Sequence, residues 1–121
     1  MAVSKRILLI EDDKSVARLT QRIIKGIDSS LEVVIAEDSE AAMELLNAGE
    51  IGLALIDGKL KDGKTGPMIA RVARGLGVPF MTTTSDNELI EAFRRYEPVA
   101  YLTKPDNIQK LEIEIKKFYS L

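Results

Sequence analysis

Five short apolar runs, separated by segments of helical character, restrict the possible folds of this sequence more than any other feature. The runs are Ile7–Ile10, Val33–Ala36, Leu53–Ile56, Val78–Met81 and Val99–Leu102. None alternates apolar with polar residues, a pattern typical of strands that are buried on both faces of a parallel sheet. With helices between consecutive strands, the sequence predicts an α/β fold, a doubly wound parallel sheet of five strands with five helices.

The segments between the runs carry apolar residues at helical spacing and signals for helix ends. The predicted inward residues of the first helix are Val16, Leu19, Ile23 and Ile27. Asp13 is placed to cap this helix. A capping-box spacing from Ser85 to Glu88 predicts the start of the fourth helix. Asp106 or Asn107 can cap the fifth helix.

Composition excludes several classes of function. The 121 residues suffice for one domain, and we expect a single domain over 1–121 with no output domain. The formal charge of −2 argues against direct nucleic-acid binding. Because the chain has no Cys and no His, it lacks disulfides, a thiolate nucleophile, a Ser-His-Asp triad and the usual zinc ligands. Without a membrane-length apolar run or a signal peptide, the predicted location is the cytoplasm, with no membrane insertion.

Polar side chains that can carry chemistry follow the predicted strands. Glu11 and Asp12 follow the first strand, and Asp57 ends the third. Three threonines at 82–84 close the fourth strand, and Lys104 follows the fifth. Because ligands of such sheets bind beyond the carboxyl ends of the strands, we expect these groups to share one edge.

Three acids at one edge predict a divalent cation. Glu11, Asp12 and Asp57 oppose one another's ionisation unless a cation compensates their charge. Mg²⁺ is the natural candidate because it prefers oxygen ligands, and softer metals find neither His nor Cys here. No glycine-rich phosphate loop follows the first strand, so a nucleotide is disfavoured at that place.

The same edge holds the groups that phosphoryl transfer requires. Asp57 is a candidate carboxylate nucleophile that forms an acyl phosphate. Lys104 offers a positive charge to a phosphoryl oxygen, and Thr84 offers a hydroxyl to another. A shift of one residue would nominate Thr83 instead of Thr84. Positioning and charge neutralisation are most of what phosphoryl transfer needs.

Four motifs together resemble the receiver domain of two-component response regulators, from Lys5 to Phe118. They are the strand before Glu11-Asp12-Asp13, the strand ending in Asp57, the Thr84-Ser85 strand end, and Tyr101-Leu-Thr-Lys104-Pro105. The resemblance implies a flavodoxin-like sheet in the order 2-1-3-4-5. It also implies that Asp57 accepts phosphate in a phosphorelay, from a histidine kinase or a phosphotransfer protein.

The resemblance implies a set of Mg²⁺ ligands. Asp12 would ligate the ion directly and Glu11 mainly through water. Asp57 and the carbonyl oxygen of Lys59 would complete the ligands from the protein.

The resemblance also implies a switch. Lys104 would pair with the phosphoryl group, and Thr84 would be the switch hydroxyl. Tyr101 would be the aromatic residue that moves inward when Thr84 is drawn to the phosphate.

The sequence departs from the family pattern near Asp57 and before the fifth strand. Lys61 stands where the family often has proline, Gly58 replaces a usual apolar residue, and the loop at 59–66 is longer than common. Glu97-Pro98-Val99 stands where Gly-Ala is frequent. The motif residues are intact, so these differences bear on loop conformation, phosphoryl lifetime and the output surface.

We interpret the chain as a phosphorylation-dependent switch that binds a downstream protein target and catalyses only its own phosphorylation and dephosphorylation. One alternative is a receiver-like interaction module that does not use phosphate, supported by the altered loop after Asp57. A second is a Mg²⁺-dependent phosphatase or phosphotransferase, although Lys59 stands where such enzymes commonly need an acid–base Asp. A flavodoxin-like electron carrier shares the architecture, but Glu11-Asp12-Asp13 suits a flavin phosphate poorly.

Overall fold

The fold alternates strands and helices along the whole described chain. The computed structural model describes residues 3–57, 60, 66–84, 86–102 and 108–121. Its strands are β1 (Arg6–Ile10), β2 (Glu32–Ala36), β3 (Leu53–Asp57), β4 (Phe80–Thr83) and β5 (Ala100–Leu102). Its helices are α1 (Lys14–Ile27), α2 (Ser39–Ala48), α3 (Gly66–Gly75), α4 (Asn87–Arg94) and α5 (Ile108–Tyr119). The strands are parallel and lie in the order β2-β1-β3-β4-β5, which confirms the predicted doubly wound fold.

The sheet separates two hydrophobic clusters, because successive side chains of each strand point to opposite faces. Leu8, Ile56 and Phe80 belong to the cluster that α2, α3 and α4 cover. Leu9 and Met81 belong to the cluster that α1 and α5 cover. All five residues of β3 are buried, as expected of a central strand with helices on both faces.

The predicted start of the fourth strand and the predicted inward face of the first helix are wrong. The fourth strand begins at Phe80 rather than Val78, because the N–H of Val78 donates to Ala73 and proline at 79 has no N–H for a ladder. The inward face of α1 is also rotated. Ala17 and Ile24 are buried, whereas Val16 and Leu19 are 39% and 50% exposed. Ile23 and Ile27 pack at the edge of the cluster as predicted.

Aspartates cap the helices whose starts the structure describes most fully. Asp13 accepts hydrogen bonds from the N–H groups of Ser15 and Val16, which confirms its predicted role. The cap of α4 is Asp86, which accepts from the N–H groups two and three residues on, so the capping box predicted from Ser85 is wrong. Asp86 satisfies the same free N–H groups, and its negative charge also suits the helix N-terminus. Ser85, Asp106 and Asn107 lie outside the described residues.

The described helices are too short or too polar to span a bilayer.

Tyr119 fastens α5 to the start of the chain. Its hydroxyl donates a 2.9 Å hydrogen bond to the carbonyl oxygen of Ser4, and burial raises the pKa of Tyr119 from 10.0 to about 12. The pKa of Tyr119 is higher in the folded than in the unfolded state, so the protonated hydroxyl contributes to stability. This contribution is complete below about pH 10 and is lost as pH rises through about 12.

We therefore expect the free energy of unfolding of Tyr119→Phe to fall less steeply than that of the wild type between about pH 10 and pH 12. Urea denaturation at constant ionic strength measures it, and parallel curves for both proteins would contradict the expectation.

Candidate functional site

Three carboxylates meet at the carboxyl edge of the sheet. Oxygen atoms of Glu11, Asp12 and Asp57 all lie within 4.8 Å of one another. Neighbouring parallel strands bring them together: Ile10 of β1 pairs with Ile56 of β3, so the next residues of both strands stand side by side. The predicted convergence of these acids is confirmed.

The carboxylates are held in a largely dry environment. Glu11 is 4% exposed and Asp57 is 8% exposed, whereas Asp12 is only partly buried. The carboxylate of Glu11 accepts a 3.2 Å hydrogen bond from the N–H of Asp13. Like charges this close, two of them nearly buried, repel one another, and a bound cation would offset that repulsion. Their oxygen atoms are the donors that hard cations prefer, so the cluster fits Mg²⁺.

Thr84 lies at the same edge, one residue beyond β4. Its N–H donates to the carbonyl oxygen of Leu102 at 3.2 Å, and the residue is 8% exposed. Its hydroxyl accepts a 3.1 Å hydrogen bond from the N–H of Asp86. Thr83 is the residue of β4 that pairs with Asp57, and it is half-buried.

Tyr101 lies in β5, where it pairs with Thr82. Its half-buried side chain packs against the hydrophobic cluster under α2, α3 and α4. Thr82 is fully buried and pairs on its other side with Ile56, which precedes Asp57. Tyr101 is therefore one row of the sheet below the phosphoacceptor candidate.

Two predicted site residues, Lys59 and Lys104, lie outside the described residues. The departures at Gly58 and Lys61 lie outside them too.

One residue that sequence reasoning did not assign to the site is Gly66, the first residue of α3. It is buried, and a methyl group there would overlap the carbonyl oxygen of Asp57. The same methyl group would stand 2.5 Å from Cζ of Phe93. The only signal in the sequence is a glycine directly before a proline at a helix start, and that signal does not reveal a contact with Asp57.

Comparison with known proteins agrees with this geometry. A family model described as the response regulator receiver domain matches residues 7–116. The chain belongs to this family. It is 32% identical over 123 residues to the response regulator Rcp1 of Synechocystis, covering 88% of this chain and 81% of Rcp1. It is 27% identical over 116 residues to the transcriptional regulatory protein MalR of Bacillus subtilis, covering 93% of this chain and 49% of MalR.

Among solved structures, a CheY-like receiver domain protein of Methanospirillum hungatei superposes on this receiver domain with a TM-score of 0.84 at 27% identity. That match covers 95% of this chain and 93% of the other. The receiver domain thus spans about half the length of MalR and nearly all of the solved domain. The family is a signalling family of two-component systems, which confirms the resemblance drawn from the four motifs.

Proposed function

We propose that this receiver domain accepts a phosphoryl group on Asp57 in a Mg²⁺-dependent reaction and that the modification switches a protein-interaction surface. The observation that carries the proposal is the nearly buried carboxylate of Asp57 within 4.8 Å of those of Glu11 and Asp12. A structural aspartate at a strand end would not need two further acids beside it, since their repulsion only adds cost.

The chemistry is a transfer between two nucleophiles. A carboxylate oxygen of Asp57 attacks the phosphorus of a phosphohistidine on a kinase or phosphotransfer protein. As the new O–P bond forms, the P–N bond breaks and its electron pair stays on the imidazole of the donor. Hydrolysis reverses the modification when water attacks phosphorus, which releases inorganic phosphate and restores the carboxylate. The domain catalyses only its own modification, and the donor is released without its phosphoryl group.

Glu11, Asp12 and Asp57, with the main-chain carbonyl of Lys59, are the residues that would hold Mg²⁺. When bound, the ion neutralises negative charge on the cluster and on the phosphoryl oxygens. Lys104 is proposed to offset the charge of another phosphoryl oxygen. The donor set supports this assignment, because every group in the cluster is a hard oxygen ligand.

The switch is proposed to act through Thr84 and Tyr101. A phosphoryl group adds about −1.5 to −2 charges at the sheet edge, which attracts the hydroxyl of Thr84 as a donor. That movement takes the hydroxyl away from the N–H of Asp86, to which it is bonded in the resting structure. The half-buried ring of Tyr101 then moves further inward, and the surface formed by β4, α4 and β5 changes for a downstream protein target.

Helix α1 offers a surface that suits contact with a protein phosphodonor. Val16 and Leu19 are exposed apolar residues on this helix, directly after the acidic cluster in the chain. Lys14 and Arg18 line a cavity of about 140 Å³ together with the acids Glu11 and Glu37. An apolar surface beside basic groups supports docking of a protein donor at this side of the site.

Intact mass tests the proposal directly. Incubation with acetyl phosphate and Mg²⁺ is expected to add one phosphoryl group, with no gain when a chelator is present. Asp57→Ala is the control and is expected to show no gain under either condition. If the wild type binds Mg²⁺ and Asp57→Ala gains as much mass as the wild type, the assignment of Asp57 is contradicted. A protein that neither gains mass nor binds Mg²⁺ would favour the phosphate-independent module.

A further inference from the structure

Helix α4 reaches the phosphoacceptor strand through Phe93. The ring of Phe93 is fully buried, and its centroid lies 6.3 Å from that of Phe80. The far end of the ring, Cζ, lies 2.5 Å from the place where a methyl group on Gly66 would stand. The carbonyl oxygen of Asp57 crowds the same place. Phe93, Gly66 and the main chain of Asp57 therefore meet at one closely packed point.

The other end of α4 is also connected to the site. The N–H of Asp86 donates to the hydroxyl of Thr84 at 3.1 Å, and the Asp86 carboxylate caps the helix through the N–H of Glu88 at 2.9 Å. α4 is only eight residues long, so both connections act on one short rigid body. Its position is thus linked to a proposed switch hydroxyl at its start and to the phosphoacceptor strand near its end.

We propose that Phe93 is a positioning residue for phosphoryl transfer: its ring, packed on Gly66, fixes the main chain of Asp57 and hence the place of the Asp57 carboxylate beside Glu11 and Asp12. This inference rests on the proposed function. Closely packed interiors transmit small displacements rather than absorb them, and displacement of a reacting group by about 1 Å can cost a hundredfold in rate.

The test compares two buried phenylalanines. Phe93→Leu removes the ring end at Gly66, whereas Phe80→Leu removes a neighbouring ring of the same cluster. Phe80 pairs with Ala54, three residues before Asp57, so it lies away from the carboxyl edge. We expect Phe93→Leu to slow phosphorylation by acetyl phosphate roughly tenfold, and Phe80→Leu to stay within about twofold of the wild type. Rates are taken from intact mass under conditions where circular dichroism shows each variant folded.

A graded series separates positioning from lost stability. Phe93→Met keeps a side chain long enough to reach Gly66, so it is expected to restore most of the rate, and it serves as the second variant if Phe93→Leu does not fold. Titration with Mg²⁺ alone should show weaker binding in Phe93→Leu than in Phe80→Leu. Equal rates and equal Mg²⁺ affinities for the two leucine variants would overturn the role of Phe93. Failure of the wild type to accept phosphate would instead overturn the proposed function.

Discussion

Replacing Asp57 by Asn is expected to stabilise the metal-free receiver domain and to remove most of its stabilisation by Mg²⁺. The carboxylate oxygens of Glu11, Asp12 and Asp57 lie within 4.8 Å of one another, and two of these residues are nearly buried. Two unit charges at such a separation repel by about 3 kcal/mol at an effective dielectric constant of 20, and relaxation leaves an expected gain of about 1 kcal/mol. Asn keeps the shape of Asp57 and removes its charge.

Mg²⁺ is expected to reverse the order of stabilities. A ligand that binds one site of the native state at one hundred times its dissociation constant stabilises by about 2.7 kcal/mol. The free energy of unfolding of the wild type should rise by about this amount when Mg²⁺ is added. Asp57→Asn has lost one anionic ligand, so its free energy of unfolding should rise far less.

Urea denaturation with and without Mg²⁺ measures both effects. Glu44→Gln is the control, because it removes the charge of an exposed acid on α2 that does not belong to the cluster. Its stability is expected to match that of the wild type with and without Mg²⁺. Asp57→Asn that is less stable than the wild type without metal would contradict the dominance of repulsion, and Asp57→Asn that responds fully to Mg²⁺ would show that Asp57 is not a ligand of the ion.

The sheet and its acidic edge could be predicted because they depend on regularities of short range. Each apolar run marks a strand, and parallel strands place their carboxyl ends at one edge. Glu11, Asp12 and Asp57 therefore had to converge once the order of strands was known. The same regularity placed Thr84 and Tyr101 at or near that edge.

Two of the errors arose where residues close in the sequence compete for one role. On α1, hydrophobicity favours Leu19 over Ala17, but the small side chain of Ala17 lets the helix lie close to the sheet, and Leu19 is left half exposed. At the start of α4, the sequence predicts a cap at Ser85, whereas the structure has the adjacent Asp86 as the cap.

The contact of Phe93 with Gly66 could not be predicted from the sequence. It joins two helices whose packing depends on the lengths of the intervening strand and loops. From the sequence, Phe93 is expected to be an ordinary core residue of α4. Nothing in the sequence indicates that its ring ends beside the main chain of Asp57. This is why the structure adds a positioning residue to a site whose acids the sequence already indicated.

Gly66→Ala is expected to be the most destabilising methyl addition among the described glycines of the helices. The new methyl group would overlap the carbonyl oxygen of Asp57, would stand 2.5 Å from Cζ of Phe93, and would stand 3.1 Å from Cγ2 of Ile56. A main-chain carbonyl at the end of a central strand cannot swing aside, so the helix must shift. We expect a loss of about 3 kcal/mol in the free energy of unfolding, at the upper end of the usual cost of overpacking.

The same substitution at Gly26 provides the control with the opposite sign. Gly26 lies in α1, and an added methyl group would meet no atom within 4 Å beyond its chain neighbours and the backbone of its own helix, so alanine there is expected to stabilise by about 0.5–1 kcal/mol through helix propensity. Urea denaturation of both variants gives the comparison.

A double variant tests the part that the ring of Phe93 plays. Phe93→Leu removes the ring end, so Gly66→Ala should lower the free energy of unfolding by less in that background. The overlap with the Asp57 carbonyl remains, so the recovery of stability should be partial. Full recovery of stability would assign the strain of Gly66→Ala to the ring alone, whereas no recovery would show that Phe93 does not contact the added methyl group.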